Sequence, residues 1–247
     1  MNTYQSQPRP MIFLHGAGVS AAWWHPQLDQ LKDEFQVIAP DLPGHGTLAH
    51  EPFSLTAAVQ HVLEVMDESA IDRAMLVGIS MGGYVAIEFA YRHTGRVVGL
   101  VLSGCTMNLS GMQGIGMAVA GLILRLRGAT WLEQAQLKSF RNRISPEILD
   151  PVLTKGFFAK SAIQAIGATC LRNYHRKVTH LTQPILVLNG EQDTPNRNAE
   201  PKFLGRAPHA RIIKLDKAGH LCNLEQPSDY TSAVREFGRS ITWSSGR

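Results

Sequence analysis

Cysteine is scarce in this chain. The three present, Cys105, Cys170 and Cys222, form an odd set with no paired spacing. That excludes the disulfide scaffold of a small secreted protein and predicts reduced thiols in a cytoplasmic one. Long hydrophobic runs are missing too. Residues 1–10 are polar and the first apolar run ends after Met11 to Leu14, whereas about 18 apolar residues are needed to cross a bilayer, so neither a secretory leader nor a membrane partner is predicted. The ten histidines lack the spacing of a metal site, and no metal is expected. A net charge of +4, with no recognisable binding module, argues against a nucleic-acid partner. Internal repeats and low-complexity segments are absent, and Ser244 to Arg247 reads as a frayed tail.

What is present is a regular alternation. Apolar runs that read as strands lie near 11–14, 36–39, 74–79, 97–103, 184–189 and 211–215, and helical spacing lies near 22–33, 54–69, 81–93, 197–206 and 227–241. In 247 residues this predicts one large α/β domain with a parallel, doubly wound sheet and room for an insertion.

The richest stretch is Gly78-Ile79-Ser80-Met81-Gly82, which follows a buried strand and opens a helix. A serine on so sharp a turn needs neighbours almost free of Cβ atoms, which Gly78, Gly82 and Gly83 supply. The helix N-terminus beside it favours developing negative charge. Serine is a poor nucleophile unless an imidazole takes its proton and a carboxylate orients that imidazole. His220 lies in a loop beyond the strand near 211–215, and the loop beyond the strand near 184–189 carries Glu191 and Asp193; Asp216 is a third candidate acid. Near the N-terminus, Met11 to Leu14 runs into His15-Gly16-Ala17-Gly18, a loop whose amides can approach a ligand closely. The amides of Ala17 and Met81 are the predicted oxyanion donors, a donor of this kind being worth about 10² to 10³ in rate. His15 reads as a loop-packing residue, Tyr84 as helix packing, and Cys222 as part of the wall rather than of the chemistry.

On these residues the chain resembles the α/β-hydrolase superfamily over nearly its whole length outside residues 107–180. The matching stretches are His15 to Gly18, Asp41-Leu42-Pro43-Gly44-His45-Gly46, Gly78 to Gly83, Gly190 to Asp193, and Gly219-His220. Within the superfamily it looks like small bacterial esterases and enol-lactonases, which share Ser-Met-Gly-Gly and a Leu-Glu-Gln-Pro after the histidine, here Leu224 to Pro227. The resemblance implies an α/β-hydrolase fold: a core of residues 1–106 and 181–247, and a helical cap, 107–180, inserted before the last two strands. At least one N-terminal edge strand of the family is expected to be missing. The acid is placed at Asp193, a few residues past its strand. Neither a cofactor nor a metal is implied.

One of Trp23 and Trp24 would wall the pocket and the other pack on the core, and Trp23 and Leu221 are assigned as substrate contacts. Carbon–carbon bond hydrolases of this fold often carry tryptophan at the position of Leu221, which lowers that option. The implied activity is hydrolysis of a small or medium apolar carboxylic ester through an acyl-enzyme. A lactone or thioester substrate needs the same machinery, and a low-turnover small-molecule receptor of the same fold is the alternative from another class.

Residues 107–180 carry ten Lys or Arg against Glu133, Glu147 and Asp150, a net of +7 that leaves −3 for the remainder of a chain at +4. Such a cap could steer an anionic substrate or an acidic carrier protein; solvated helix faces are the other reading. Within it, Gly114 to Leu124 is apolar on all sides. It reads as a buried helix that packs on the core or lines an acyl pocket, with contact to a membrane surface as a third reading.

Overall fold

The structure, a computed structural model, describes residues 9–243. The expectations made for the first residues and for the tail beginning at Ser244 lie outside that range. Six strands, β1 (Pro10–Leu14), β2 (Gln36–Ile38), β3 (Ala74–Ile79), β4 (Val97–Ser103), β5 (Ile185–Gly190) and β6 (Ala210–Leu215), form one sheet in the order β2-β1-β3-β4-β5-β6. Every pairing is parallel. Each lies within a residue or so of its apolar run.

A continuous apolar run, rather than an alternating one, suits a strand covered on both faces, and β1, β3, β4 and β5 are buried throughout. Ile12, Leu14 and Leu76 point into one core cluster, while Met11, Phe13, Met75 and Val77 point into another on the opposite face, the twofold alternation of a strand. Helices α1 (His25–Leu31) and α11 (Pro227–Ser240) pack together on one side, and α2 (Leu55–Glu68) and α3 (Met81–Arg92) on the other. Helix α2 starts where Ser54 Oγ accepts the Ala57 amide at 3.0 Å, satisfying one of the orphan donors of a first turn. Helices α9 (Thr194–Leu204) and the short α10 (Cys222–Glu225) follow β5 and β6.

The chain moves from β1 outward to β2, then returns to place β3 on the other side of β1. That reversal opens a crevice at the carboxyl ends of β1 and β3, where open sheets of this kind take their ligands.

Between β4 and β5 the chain forms five helices: α4 (Gly111–Arg127), α5 (Ala129–Arg141), α6 (Pro146–Leu153), α7 (Ala159–Thr169) and α8 (Tyr174–Val178). The last is tied to the sheet layer: Tyr174 and Val178 sit in the core cluster, and Lys177 forms an ion pair with the buried Glu88 of α3, which also binds Arg92 at 2.7 Å. The expectation that the apolar segment 114–124 is buried fails over most of its length. Of α4 only Gly114 and Gly121 are fully buried, while Ile115, Val119, Leu122 and Ile123 are about half exposed. Helix α4 is a single layer over the site: Met117 and Leu124 on its inner face line a cavity shared with Ser80, while its other side has no layer packed over it. No single helix among the described residues is long and apolar enough to cross a membrane.

Candidate active site

Ser80 stands on the turn from β3 into α3 with φ 52° and ψ −117°, a left-handed conformation that costs a non-glycine residue about 1–3 kcal/mol and persists only where the surroundings enforce it. They do so through the Ser80 amide, which donates to Ser103 O at 2.8 Å, and through close packing of the elbow. A Cβ on Gly82 would lie 2.0 Å from Leu14 O, and one on Gly78 would lie 2.5 Å from Gly82 O. The glycines of the motif are thus required by backbone contact between β1, β3 and α3. As the first residue of α3, Met81 has an amide with no partner inside the helix.

Across the crevice, His220 Nδ1 meets Asp193 Oδ2 at 2.8 Å. The same oxygen accepts Asn196 Nδ2 at 3.0 Å. Burial pushes the Asp193 carboxyl up, but the bonds and charge of His220, with the bonds from Asn196, outweigh it and hold the group below its ordinary value. The other two acids are placed elsewhere: Glu191 is exposed and takes the Lys217 amide at 3.4 Å, and Asp216 is exposed.

Glu225 was not singled out in the sequence. It lies in the Leu-Glu-Gln-Pro stretch, its side chain 6% exposed, with Oε2 accepting the Gly219 amide at 2.5 Å and Oε1 the Leu221 amide at 3.3 Å. It therefore grips the backbone on both sides of His220, and Arg143, from the turn after α5, reaches it at 3.6 Å. The only sequence signal for it was its spacing after the histidine.

The loop after β1 is held by two buried histidines. His15 Nδ1 donates to Gly16 O at 2.8 Å and Nε2 accepts the Leu42 amide at 3.0 Å; His45 Nδ1 donates to Pro43 O at 3.0 Å and Nε2 accepts the Gly18 amide at 3.0 Å. Accepting from an amide requires a neutral ring, and burial, reinforced by the neighbouring His45, pushes His15 down to about 3. Asp41 completes the lock, accepting the Ala21 amide and both the amide and hydroxyl of Thr47 at 2.8–2.9 Å. His15 is thus the loop-packing residue expected.

A pH dependence follows from the neutral His15. Its folded pKa lies below the unfolded value of about 6.5, so its contribution to stability is complete above pH 6.5 and is lost as pH falls toward 3. A slope of about 1.4 kcal/mol per pH unit predicts that the unfolding free energy drops by about 2–3 kcal/mol between pH 6.5 and pH 4.5 from this residue alone. Urea titrations at the two values measure it; an unchanged midpoint would mean that His15 is protonated in the fold.

Gly16, Ala17, Ser80, His220 and Leu221 face one cavity of about 260 Å³. The rest of its lining is largely apolar: Val19 and Trp23 from the core, Met117, Leu124, Phe140 and Ile166 among those from α4, α5 and α7, and Phe157 from the loop before α7. Trp23 lines this wall with its Nε1 donating to Asn223 Oδ1 at 3.1 Å, while Trp24 is buried against Phe13 and Tyr230. A second cavity of about 280 Å³ adjoins it, sharing Gln136, Phe140, His220 and Leu221 and adding Ser139, Arg143, Gln192, Asp193 and Glu225. Cys222 lines neither; it lies in the core with its thiol pushed up to about 12, chiefly by burial. All three cysteines are free and buried. Tyr84 packs against Tyr174, ring centroids 4.4 Å apart, and donates to Met107 O.

The family model described as "Alpha/beta hydrolase family" matches residues 11–234, and the chain belongs to that family. It is 29% identical over 250 residues to a pimeloyl-[acyl-carrier protein] methyl ester esterase of Edwardsiella ictaluri, covering 94% of this chain and 95% of that protein. It is 25% identical over 242 residues to 3-oxoadipate enol-lactonase 2 of Acinetobacter baylyi, covering 94% and 90%. The same share of this chain matches only 48% of a longer bifunctional biotin biosynthesis protein of Cellvibrio japonicus, at 29% identity. Among solved structures, a thermophilic esterase from Thermogutta terrifontis superposes with a TM-score of 0.78 at 26% identity, over 94% of this chain and 90% of that one. The chain is therefore an α/β hydrolase with relatives of the esterase and enol-lactonase type, as the sequence resemblance implied.

Proposed function

We propose that the protein is a serine hydrolase that cleaves a small or medium apolar carboxylic ester through an acyl-enzyme. Ser80 Oγ attacks the carbonyl carbon while His220 Nε2 takes its proton. Asp193 holds the Nδ1 proton and stabilises the imidazolium, and the amides of Ala17 and Met81 receive the oxyanion. Collapse of the tetrahedral intermediate expels the alcohol, protonated by His220. Water, deprotonated by the same ring, then releases the acid and restores Ser80. The observation that carries this reading is the shared cavity: a strained serine and an aspartate-bound histidine open onto one apolar space. The acyl chain is assigned to that space, against Trp23, and the alcohol to the polar cavity beside Arg143, with Leu221 at their junction. Esterase and enol-lactonase relatives support both an open-chain ester and a lactone as substrate, since the bond broken is the same.

Hydrolysis of p-nitrophenyl acetate, butyrate and octanoate over many turnovers, with intact-mass detection of a fluorophosphonate adduct, tests the proposal. Sustained turnover and one adduct are expected; an adduct without turnover would describe a receptor or a very selective enzyme, and no adduct at all would sink the assignment of Ser80 as the nucleophile. Ala162 lies on the α7 wall of the cavity. Since each misplaced methylene costs about 10-fold or more in a hydrophobic pocket, Ala162→Leu is expected to lower kcat/KM for octanoate at least about 10-fold and to leave acetate within about twofold. Equal losses on both esters would remove the acyl chain from this cavity.

A further inference from the structure

Among the described residues, most of the exposed large hydrophobic side chains lie on the outer face of α4. Met112 is 88% exposed and Leu126 78%, and Ile115, Val119, Leu122 and Ile123 between them are each about half exposed. Leu171, 63% exposed, follows the end of α7, and its amide nitrogen packs beside Gly114 near the start of α4; Trp131 adds an exposed ring beyond its end. Isolated apolar residues at a surface mean nothing, whereas a contiguous strip of this length marks something that covers it.

The charges that α4 itself carries have one sign. Helix α4 contains no acidic residue, and Arg125 and Arg127 occupy its last turn. Arg125 and Lys160 border the groove along Leu122, Arg127 stacks on Trp131 at 4.9 Å, and Arg172 follows Leu171. None of these four cations forms an ion pair among the described residues. By contrast Lys177 and Arg143, elsewhere in the insertion, are paired with Glu88 and Glu225. An apolar helix face edged by unpaired arginine and lysine, with a tryptophan at one end, has the chemistry of a helix lying in the headgroup region of an anionic bilayer.

We propose that α4 docks this protein on anionic membrane surfaces, with Met112, Ile115, Val119, Leu122 and Leu126 entering the acyl boundary and Arg125, Arg127, Lys160 and Arg172 contacting lipid phosphates. The sequence predicted no membrane partner for the chain and ranked membrane contact by segment 114–124 third; the unburied face of α4 moves that reading forward. The residues at 112, 115, 119, 122 and 126 have the three-and-four spacing of a helix pairing seam, so a second copy of α4 is the rival occupant. Charge opposes it. Two copies would bring eight unpaired cations together with no acid on either α4 to meet them, whereas an anionic surface neutralises them. The docking face is distinct from the residues lining the catalytic cavity, so the inference stands or falls apart from the hydrolase reading.

Flotation of the full chain with vesicles tests it, using phosphatidylcholine alone or an equal mixture of phosphatidylcholine and phosphatidylglycerol. Binding is expected only to the anionic vesicles and should weaken with added salt. Leu122→Asp with Leu126→Asp should abolish it, with thermal unfolding unchanged because both side chains are exposed. Arg125→Gln with Arg127→Gln should weaken partitioning about 30-fold, the effect of two cations near a charged surface. Failure to float with anionic vesicles, equal binding to neutral ones, or binding that survives the leucine variant would overturn the proposal. So would a dimer in sedimentation velocity that the leucine variant dissociates, which would assign the face to a second copy.

Discussion

Ser80→Ala is expected to lower kcat for a p-nitrophenyl ester by about 10⁵- to 10⁶-fold, the scale seen when the nucleophile of a serine triad is removed, and to eliminate the fluorophosphonate adduct. Stability should hardly move. Alanine keeps the Cβ, so it meets the same φ 52° strain, and the amide bond to Ser103 O does not involve the hydroxyl. A single-turnover assay beside a thermal melt separates the outcomes. Loss of activity with an unchanged melt isolates the hydroxyl as the lost group. Residual activity within about 100-fold of wild type would mean that another group attacks, and the assignment would fall.

Asp193→Asn is the second large effect, a loss of about 10⁴ in kcat. The replacement keeps the size of the side chain but presents His220 Nδ1 with a group that can donate, which favours the tautomer whose Nε2 carries the proton and cannot accept the one from Ser80. The loss should diminish as pH rises and a hydroxide-dependent route competes, and a rate-against-pH profile from 6 to 10 records it. A matching Glu191→Gln should be silent because Glu191 is exposed and binds only the Lys217 amide. If Glu191→Gln were the damaging change, the acid would have been misplaced.

The strands and most helices were legible because their signals are local. Ala74 to Val77 is apolar throughout because it is covered on both faces, and the turn that ends it needs glycine where β1, β3 and α3 touch. The order of residues 80, 193 and 220, each beyond a strand end, followed from the same periodicities. Helix α4 was misread for a physical reason: an apolar composition states a preference for burial, but burial needs a neighbour. The five inserted helices leave α4 covered on one side only. Glu225 escaped because its partners are two backbone amides, which look the same in any sequence. His15 was legible as a loop-packing residue, but the bonds that it and His45 make escaped for the same reason, since each ring joins a carbonyl of its own loop to an amide of the neighbouring one.

What the sequence by itself determined is therefore the set of elements, their parallel arrangement and the residue types from which a nucleophile, a base and an acid could be drawn. Tertiary structure alone decided what grips the loop around His220, how the loops after β1 and β2 lock together, and which side of α4 is left uncovered. The first set rests on backbone geometry and side-chain periodicity, which act over a few residues. The second rests on distances between segments such as 143 and 225 or 15 and 42, which exist only once the sheet has set the register of the loops at its edge.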